Sequence, residues 1–323
     1  MVDDPGPKKS PLKLILRLAV IAAVIGCLYF FIRNVEWAKL GEAFAHAKIW
    51  PLALAAAINF LLLYGKAACW HVMLAPRYVV GTVPLFRYTI AAFAASVIAP
   101  ARAGELVRVW ALKKHHGVPW SDGAAIAVTE KLLDAMSMLV LISPIPWLLP
   151  DLPGWIETSL LACSGVSLAV FLVLVVAVGR VRPESASWFA RFIKGMHVLR
   201  APRRLVLAFL ALFFTWAADL AMVSLCLYGV GIDLPIGAGL LILFTLNLSI
   251  VVPSTPASVG ALEVGALAAT RLLHVPDEPA LAFALIYHAL QVVPLIVAGF
   301  ALELRLVLGL EQQQDTSVAP AKS

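Results

Sequence analysis

The charged residues of one short segment have the types and the spacing of an anion-binding site. The segment APARAGELVRVW places Arg102, Glu105 and Arg108 around Gly104, shortly after Pro100. Arginine binds phosphate in a bidentate manner, glycine permits close backbone approach, and a helix that starts beside this glycine presents free N–H groups. Glu105 and Arg108 are three residues apart and are predicted to pair. The segment therefore favours a cradle for a lipid phosphate; the alternative is a set of interfacial charges that orient the helix.

A second group of charges lies in the stretch TEKLLD, early in an apolar run. Asp134 follows Glu130 by four residues and Lys131 by three, so a helix places all three in one sector. Charged residues deep in an apolar helix are costly and usually face a cavity or one another. Two interpretations stay open, an ion-pair cluster and a site for a proton or a headgroup.

A later segment repeats the spacing of the first with almost no charge. Residues 100–104 and 256–260 both read Pro-Ala-x-x-Gly, and a Val-Pro pair follows each at nearly the same distance. Glu263 is the acid of the second segment. Counted from the Val-Pro pairs, His288 stands at the position of Lys131. Two interpretations of His288 stay open, a hydrogen-bonded core histidine and a group that titrates near neutral pH.

The composition indicates an integral membrane protein. Hydrophobic residues make up 62% of the chain and charged residues 14%, with a mean hydropathy of +0.92. The net charge of +6 comes from basic residues beside apolar runs, which is typical of topology signals and not of nucleic-acid binding. The chain has no P-loop, H-E-x-x-H, G-x-S-x-G or Asp-x-Asp pattern. We therefore expect no catalytic residue, no metal site and no cofactor, and a protein that is not an enzyme.

Apolar runs predict an all-α polytopic membrane protein with six spanning helices, each of about 20 residues. These runs are 14–33, 51–74, 124–148, 159–179, 205–230 and 280–302. Two further apolar regions are interrupted and are predicted to be re-entrant helical hairpins. Irregular backbone at membrane depth requires a surrounding of protein or water. The residues that break the hairpins are Pro100, Pro253, Pro256 and Gly260.

The charges of the loops predict that the second half is inverted relative to the first. The basic loop 180–204 and the basic N-terminus are expected in the cytoplasm. The chain then forms a single membrane domain over residues 1–323, with a first repeat at 12–150, a second and inverted repeat at 151–308, and a disordered cytoplasmic tail at 309–323. The alternative count lets both arms of each hairpin cross, which gives ten crossings with the same loop positions.

These motifs resemble the flippase-like transmembrane domain family, named for the membrane half of lysylphosphatidylglycerol synthase. The resemblance covers about residues 12–308 and rests on P-x-R-x-G-E-x-x-R, on E-[RK]-L-x-D and on the later T-P-x-x-x-G-x-x-E. It implies a lipid-translocating fold. Lys131 and His288 stand where the family usually has arginine, and Ala257-Ser258 replaces a glycine pair. The resemblance does not extend to the aminoacyl-transfer domain of the synthase, so lysyl transfer is not expected.

Together the motifs predict a lipid transporter that binds an anionic or glycosylated headgroup in a midplane cavity between the repeats. The predicted headgroup-binding residues are Arg102, Gly104, Glu105, Arg108, Glu130, Lys131, Asp134, Glu263 and His288. The alternatives are a glycosyltransferase-like membrane enzyme with Glu130 or Asp134 as base, and an accessory subunit of a lipid pathway such as hopanoid synthesis. We expect a bacterial inner-membrane location, both termini in the cytoplasm, membrane lipids and lipid biosynthetic enzymes as partners, and no nucleic acid; the oligomeric state stays open.

Overall fold

The computed structural model describes residues 37–75, 77–98, 104–150, 152–180, 192, 195–250 and 256–307, and it has no strand among them. The helices of the first half are α1 Trp37–His46, α2 Ile49–Leu74, α3 Thr82–Ile98, α4 Glu105–His116, α5 Trp120–Ile142 and α6 Ile145–Leu148. Those of the second half are α7 Gly154–Arg180, α8 Pro202–Gly229, α9 Ile236–Ser249, α10 Ala261–Leu272 and α11 Asp277–Val307. Short 3-10 turns lie at His197–Arg200 and Pro256–Ser258. The all-α prediction is confirmed, whereas the run 14–33, the tail 309–323, Pro100, Arg102 and Pro253 lie outside the described residues.

Four of the described helices are long and apolar enough to cross a membrane by length and composition. They are α2, α7 over Gly154–Val173, α8, and α11 over Asp277–Gly299. The predicted span at 124–148 differs from the structure at its end, because α5 stops at Ile142 and a separate short helix follows Pro144. A proline in a helix interior has no N–H to donate and its ring clashes with the preceding turn. α5 also carries three charged residues near its middle, and these lower its hydropathy.

Both interrupted regions form a longer and a shorter helix joined by a break. In the first, α3 has 17 residues and α4 has 12; in the second, α9 has 14 and α10 has 12. The first short helix begins at Glu105, with Gly104 at its N-cap, as the predicted helix start beside this glycine requires. At about 1.5 Å per residue, each 12-residue helix is roughly 18 Å long.

The two halves pack against each other through long helix pairs. α8 of the second half lies along α2 of the first, and α11 of the second half packs against α3 of the first. The apolar side chains of the interior are shared in the same way: one cluster joins Leu52 of α2 to Phe244 of α9 and Phe283 of α11. Another joins Trp70 of α2 to Leu212 of α8.

One loop is fastened to the first turn of α5. The Tyr78 hydroxyl donates to Asp122 Oδ2 at 2.8 Å, and Arg77 Nη1 lies 3.5 Å from the same carboxylate oxygen. Burial and the bond to this anion raise the pKa of Tyr78 to about 12. The contact fixes the connection between α2 and α3, and with it the start of the first interrupted region.

Gly104 lets α4 approach α3 closely. A Cβ atom at this position would lie well inside van der Waals distance of the Ala92 carbonyl oxygen and of the Ser96 backbone nitrogen. Both atoms belong to the backbone of α3, so neither can move away without shifting the helix. Small residues at such crossings are typical of membrane helix pairs, because association there depends on close packing.

Gly104→Ala is therefore expected to lower the free energy of unfolding by about 1–3 kcal/mol, the usual cost of overpacking. Thermal unfolding of the purified protein in detergent measures the change. Gly165→Ala is the matched control, because a Cβ at Gly165 of α7 meets nothing within 4 Å. Equal unfolding temperatures for the two variants would contradict the close approach.

Candidate functional site

A cavity of about 280 Å³ lies between the two halves. Its walls come from α2, α3, the start of α4, α5, α8, α9 and α11, together with the break before α10. The charged residues that line it are Lys66, Glu105, Lys131, Asp134 and Asp219. The neutral polar residues that line it are Asn59, Ser96, Thr215, Asn247, Ser258 and Gln291. Among the described residues, no group of three or more His, Cys, Asp or Glu side chains has the arrangement of a metal site.

Lys66 neutralises the acids of α5 from across the helix interface. Its Nζ lies 3.0 Å from both carboxylate oxygens of Asp134 and 3.8 Å from Glu130 Oε1. Trp216 of α8 donates its indole N–H to the backbone oxygen of Asp134 at 3.0 Å. Glu130 and Asp134 thus share one cation, as two acids four residues apart on one helix face can do.

Arg108 and Glu130 form a fully buried pair behind this wall. Arg108 Nη2 donates to Glu130 Oε2 at 2.6 Å, and both side chains are 1% exposed. The Trp70 indole N–H donates to the same oxygen at 2.5 Å, and the Arg108 guanidinium lies over the Trp70 ring with 4.0 Å to the centroid. The predicted pair between Glu105 and Arg108 is wrong, because the Arg108 guanidinium pairs with Glu130 of α5 instead.

Glu105 pairs with Lys131 at the surface of the cavity. The Lys131 Nζ lies 2.5 Å from Glu105 Oε1, and the two side chains are 41% and 25% exposed. This ion pair joins the first turn of α4 to α5. Lys131 therefore points away from the acids that Lys66 neutralises, although it follows Glu130 directly.

The second interrupted region carries a corresponding pair between Glu263 and His288. Glu263 Oε2 accepts the Gly260 N–H at 2.7 Å, and Glu263 Oε1 lies 2.7 Å from His288 Nδ1. His288 Nε2 lies 2.9 Å from the Ala257 carbonyl oxygen. The turn that these contacts hold has left-handed backbone angles at Ala257, Ser258 and Gly260, with φ of 53°, 60° and 85°.

Asp219 is the remaining acid of the cavity, and its structural partner is neutral. The Tyr287 hydroxyl donates to Asp219 Oδ1 at 2.8 Å, and Gln291 Nε2 donates to the Tyr287 hydroxyl at 2.6 Å. Counted from Pro119 and Pro276, Tyr287 and Gln291 take the positions of Glu130 and Asp134. The contacts of the first half are therefore ionic, and those at the same positions of the second half are mostly neutral.

The structure brings together most of the predicted site residues that it describes. Glu105, Lys131 and Asp134 line the cavity, and Glu263 and His288 hold the turn that lines it. Arg108 and Glu130 do not line it, since they are buried behind it. Lys66 belongs to none of the sequence motifs, although a lone lysine in a 26-residue apolar helix signals a buried acid elsewhere.

Arg108→Met is expected to destabilise the protein by about 3–5 kcal/mol, because it removes the cation bonded to the buried Glu130 carboxylate and leaves only Lys66, at 3.8 Å and bonded to Asp134. Arg108→Met with Glu130→Gln should recover part of this loss, and a double-mutant cycle of unfolding free energies in detergent gives the coupling. Arg271→Met is the control, since the Arg271–Asp277 pair is exposed and its loss should change little. Additive effects of the two buried substitutions would contradict the pair.

Comparison with known protein families agrees with a multi-pass membrane protein. The family described as the lysylphosphatidylglycerol synthase TM region matches residues 14–299. That range contains every residue that lines the cavity. No curated protein matches the chain.

Proposed function

This chain belongs to the lysylphosphatidylglycerol synthase TM region family, and we propose that it transports a lipid between the leaflets of a bacterial inner membrane. The headgroup, anionic or glycosylated, enters the cavity between the halves while the acyl chains stay in the bilayer. The observation that carries the proposal is the polar cavity itself, which holds five charged residues among helices apolar enough to span a membrane. Charges at such depth mark pathways for polar substrates.

We further propose six spanning helices and two re-entrant hairpins in an inverted repeat, with both termini in the cytoplasm. The short helices support this arrangement, because roughly 18 Å of α4 or α10 falls well below the hydrocarbon thickness of about 30 Å. The order of elements also supports it: in each half a long helix, a shorter apolar helix, a 12-residue helix and a long helix follow one another. This order also supports the proposed repeats, the first at 12–150 and the second at 151–308.

The residues of the site divide into ligands and supports. Lys131 is the most exposed cation of the cavity wall and the proposed ligand of a phosphate, with Arg102 as its predicted companion. Asn59 and Gln291 instead organise α11, because the Asn59 amide donates to the Leu290 and Gln291 backbone oxygens at 3.0 and 3.1 Å. Arg108 and Glu130 position α4 against α5.

Transport fits these contacts better than an enzyme with Glu130 or Asp134 as base. A general base must reach the proton that it abstracts. Glu130 is 1% exposed and accepts hydrogen bonds from Arg108 and Trp70, and both oxygens of Asp134 accept from Lys66.

Lys131→Gln is expected to slow the exchange of a fluorescent anionic lipid in proteoliposomes about tenfold, the effect of losing roughly 1.4 kcal/mol of headgroup binding. Dithionite outside the vesicles quenches the label in the outer leaflet. The further loss of fluorescence, as labelled lipid arrives from the inner leaflet, measures the rate. Lys113→Gln removes the same charge from an exposed position outside the cavity wall and should exchange at the wild-type rate. Wild-type exchange by Lys131→Gln, and by Arg102→Ala after folding is verified, would refute the proposed site.

The hairpin proposal is tested by cysteine labelling in a background without the native cysteines. Ser96→Cys, near the end of α3, is expected to react slowly with a membrane-impermeant maleimide, and from the same face as Gly117→Cys. A re-entrant tip lies at membrane depth, whereas the loop position is in bulk water. Fast labelling of Ser96→Cys from the opposite face would show that α3 crosses, and the re-entrant assignment would be abandoned.

A further inference from the structure

His288 has a hydrogen-bond acceptor against each of its two ring nitrogens. The Ala257 carbonyl oxygen lies 2.9 Å from Nε2, and Glu263 Oε1 lies 2.7 Å from Nδ1. A carbonyl oxygen only accepts, so Nε2 carries a hydrogen. A neutral imidazole carries one hydrogen, which would leave the Nδ1 lone pair facing a carboxylate oxygen.

That arrangement is repulsive unless one more proton lies between the two groups. The proton can sit on Nδ1, which gives an imidazolium beside a carboxylate, or on Glu263, which gives a carboxylic acid beside a neutral imidazole. Both descriptions contain the same number of protons. We propose that the Glu263–His288 pair is a proton-binding site that couples lipid movement to a proton gradient; this second part rests on the proposed transport function.

The corresponding pair of the first half gives the proposal its contrast. Glu105 lies at the start of α4 and Lys131 on α5, as Glu263 lies near the start of α10 and His288 on α11. An ammonium group keeps its proton throughout the physiological range, whereas an imidazole can release it. The first pair thus carries a permanent cation, whereas the cation of the second pair exists only while the imidazole holds two protons.

Release of the proton acts on the wall of the cavity. The pair holds Ala257 and Gly260, and Ala257 and Ser258 line the cavity. Ala257 and Ser258 have left-handed angles that non-glycine residues rarely adopt, so the surrounding contacts must hold this turn in place. When the pH rises and the proton leaves, the neutral imidazole can donate from only one ring nitrogen, so one of the two contacts that hold the turn is lost.

The other ionisable groups around α11 are bonded to partners or exposed. Lys66 on α2 is bonded to Asp134, and Asp219 on α8 accepts from Tyr287. Arg87 on α3 and the α1 residues Glu42 and His46 are exposed. The imidazole and the acid that faces it from α10 therefore form the proposed titrating unit.

The protonation state is tested directly by ¹⁵N NMR of histidine-labelled protein, with His288→Gln to assign its signal among the seven histidines. At about pH 6–7 we expect either two protonated nitrogens, or a neutral ring together with a carboxylic C=O infrared band that Glu263→Gln removes. The state should convert in one step as the pH rises. A neutral ring beside an ionised Glu263 throughout this range would overturn the proton site, whether or not the protein transports lipid.

Coupling is tested by lipid exchange in proteoliposomes with a pH gradient of either sign. When the pH on the side that the pair faces is changed by one unit, the wild-type initial rate of exchange is expected to change roughly tenfold. His288→Lys installs the permanent cation of the first half and should make the two rates equal; His288→Gln, which does not titrate, should do the same if the lysine variant fails to fold. Wild-type exchange that ignores the gradient overturns coupling and leaves transport intact. Absence of exchange under every gradient refutes transport, while NMR still decides the proton site.

Discussion

The structure depends on neutralising charges that lie inside an apolar helical bundle. Two cations, Lys66 and Arg108, are held against two acids, Glu130 and Asp134, on three different helices. A charge buried without a partner is destabilising by several kcal/mol, so the positions of α2, α4 and α5 are coupled. The tryptophan indoles add bonds that only one arrangement of these helices provides. The ionic cluster therefore fixes the wall of the cavity, whatever the cavity binds.

The two halves stabilise the buried polar groups of their helices with different contacts. The first half uses full charges on its long helices, and the second uses a carboxyl, a tyrosine and an amide at matching positions. The consequence is an asymmetric cavity with an ionic first wall and a second wall of mostly neutral polar groups. An asymmetry of this kind suits a protein that must present two different states to the two faces of a membrane.

The sequence predicts the helices and the interrupted regions better than it predicts the side-chain contacts. Hydropathy and proline spacing predicted the helical class and the two interrupted regions, because these features are local. The partner of Arg108 was not predictable, since the choice between Glu105 and Glu130 depends on how α4 crosses α5 and not on spacing along one helix. The same holds for Lys66, whose acids lie more than 60 residues away in sequence. The end of α5 at Ile142 was missed because an apolar run continues past the proline that stops the helix.

The most direct measurement of the central claim is a cryo-EM map of the protein in lipid nanodiscs that contain an anionic phospholipid. The account predicts headgroup density in the cavity between Lys131 and Asp219, at the depth of the acyl chains of the disc. A map in which this cavity lies outside the lipid layer, or holds only acyl-chain density against the charged wall, would contradict it.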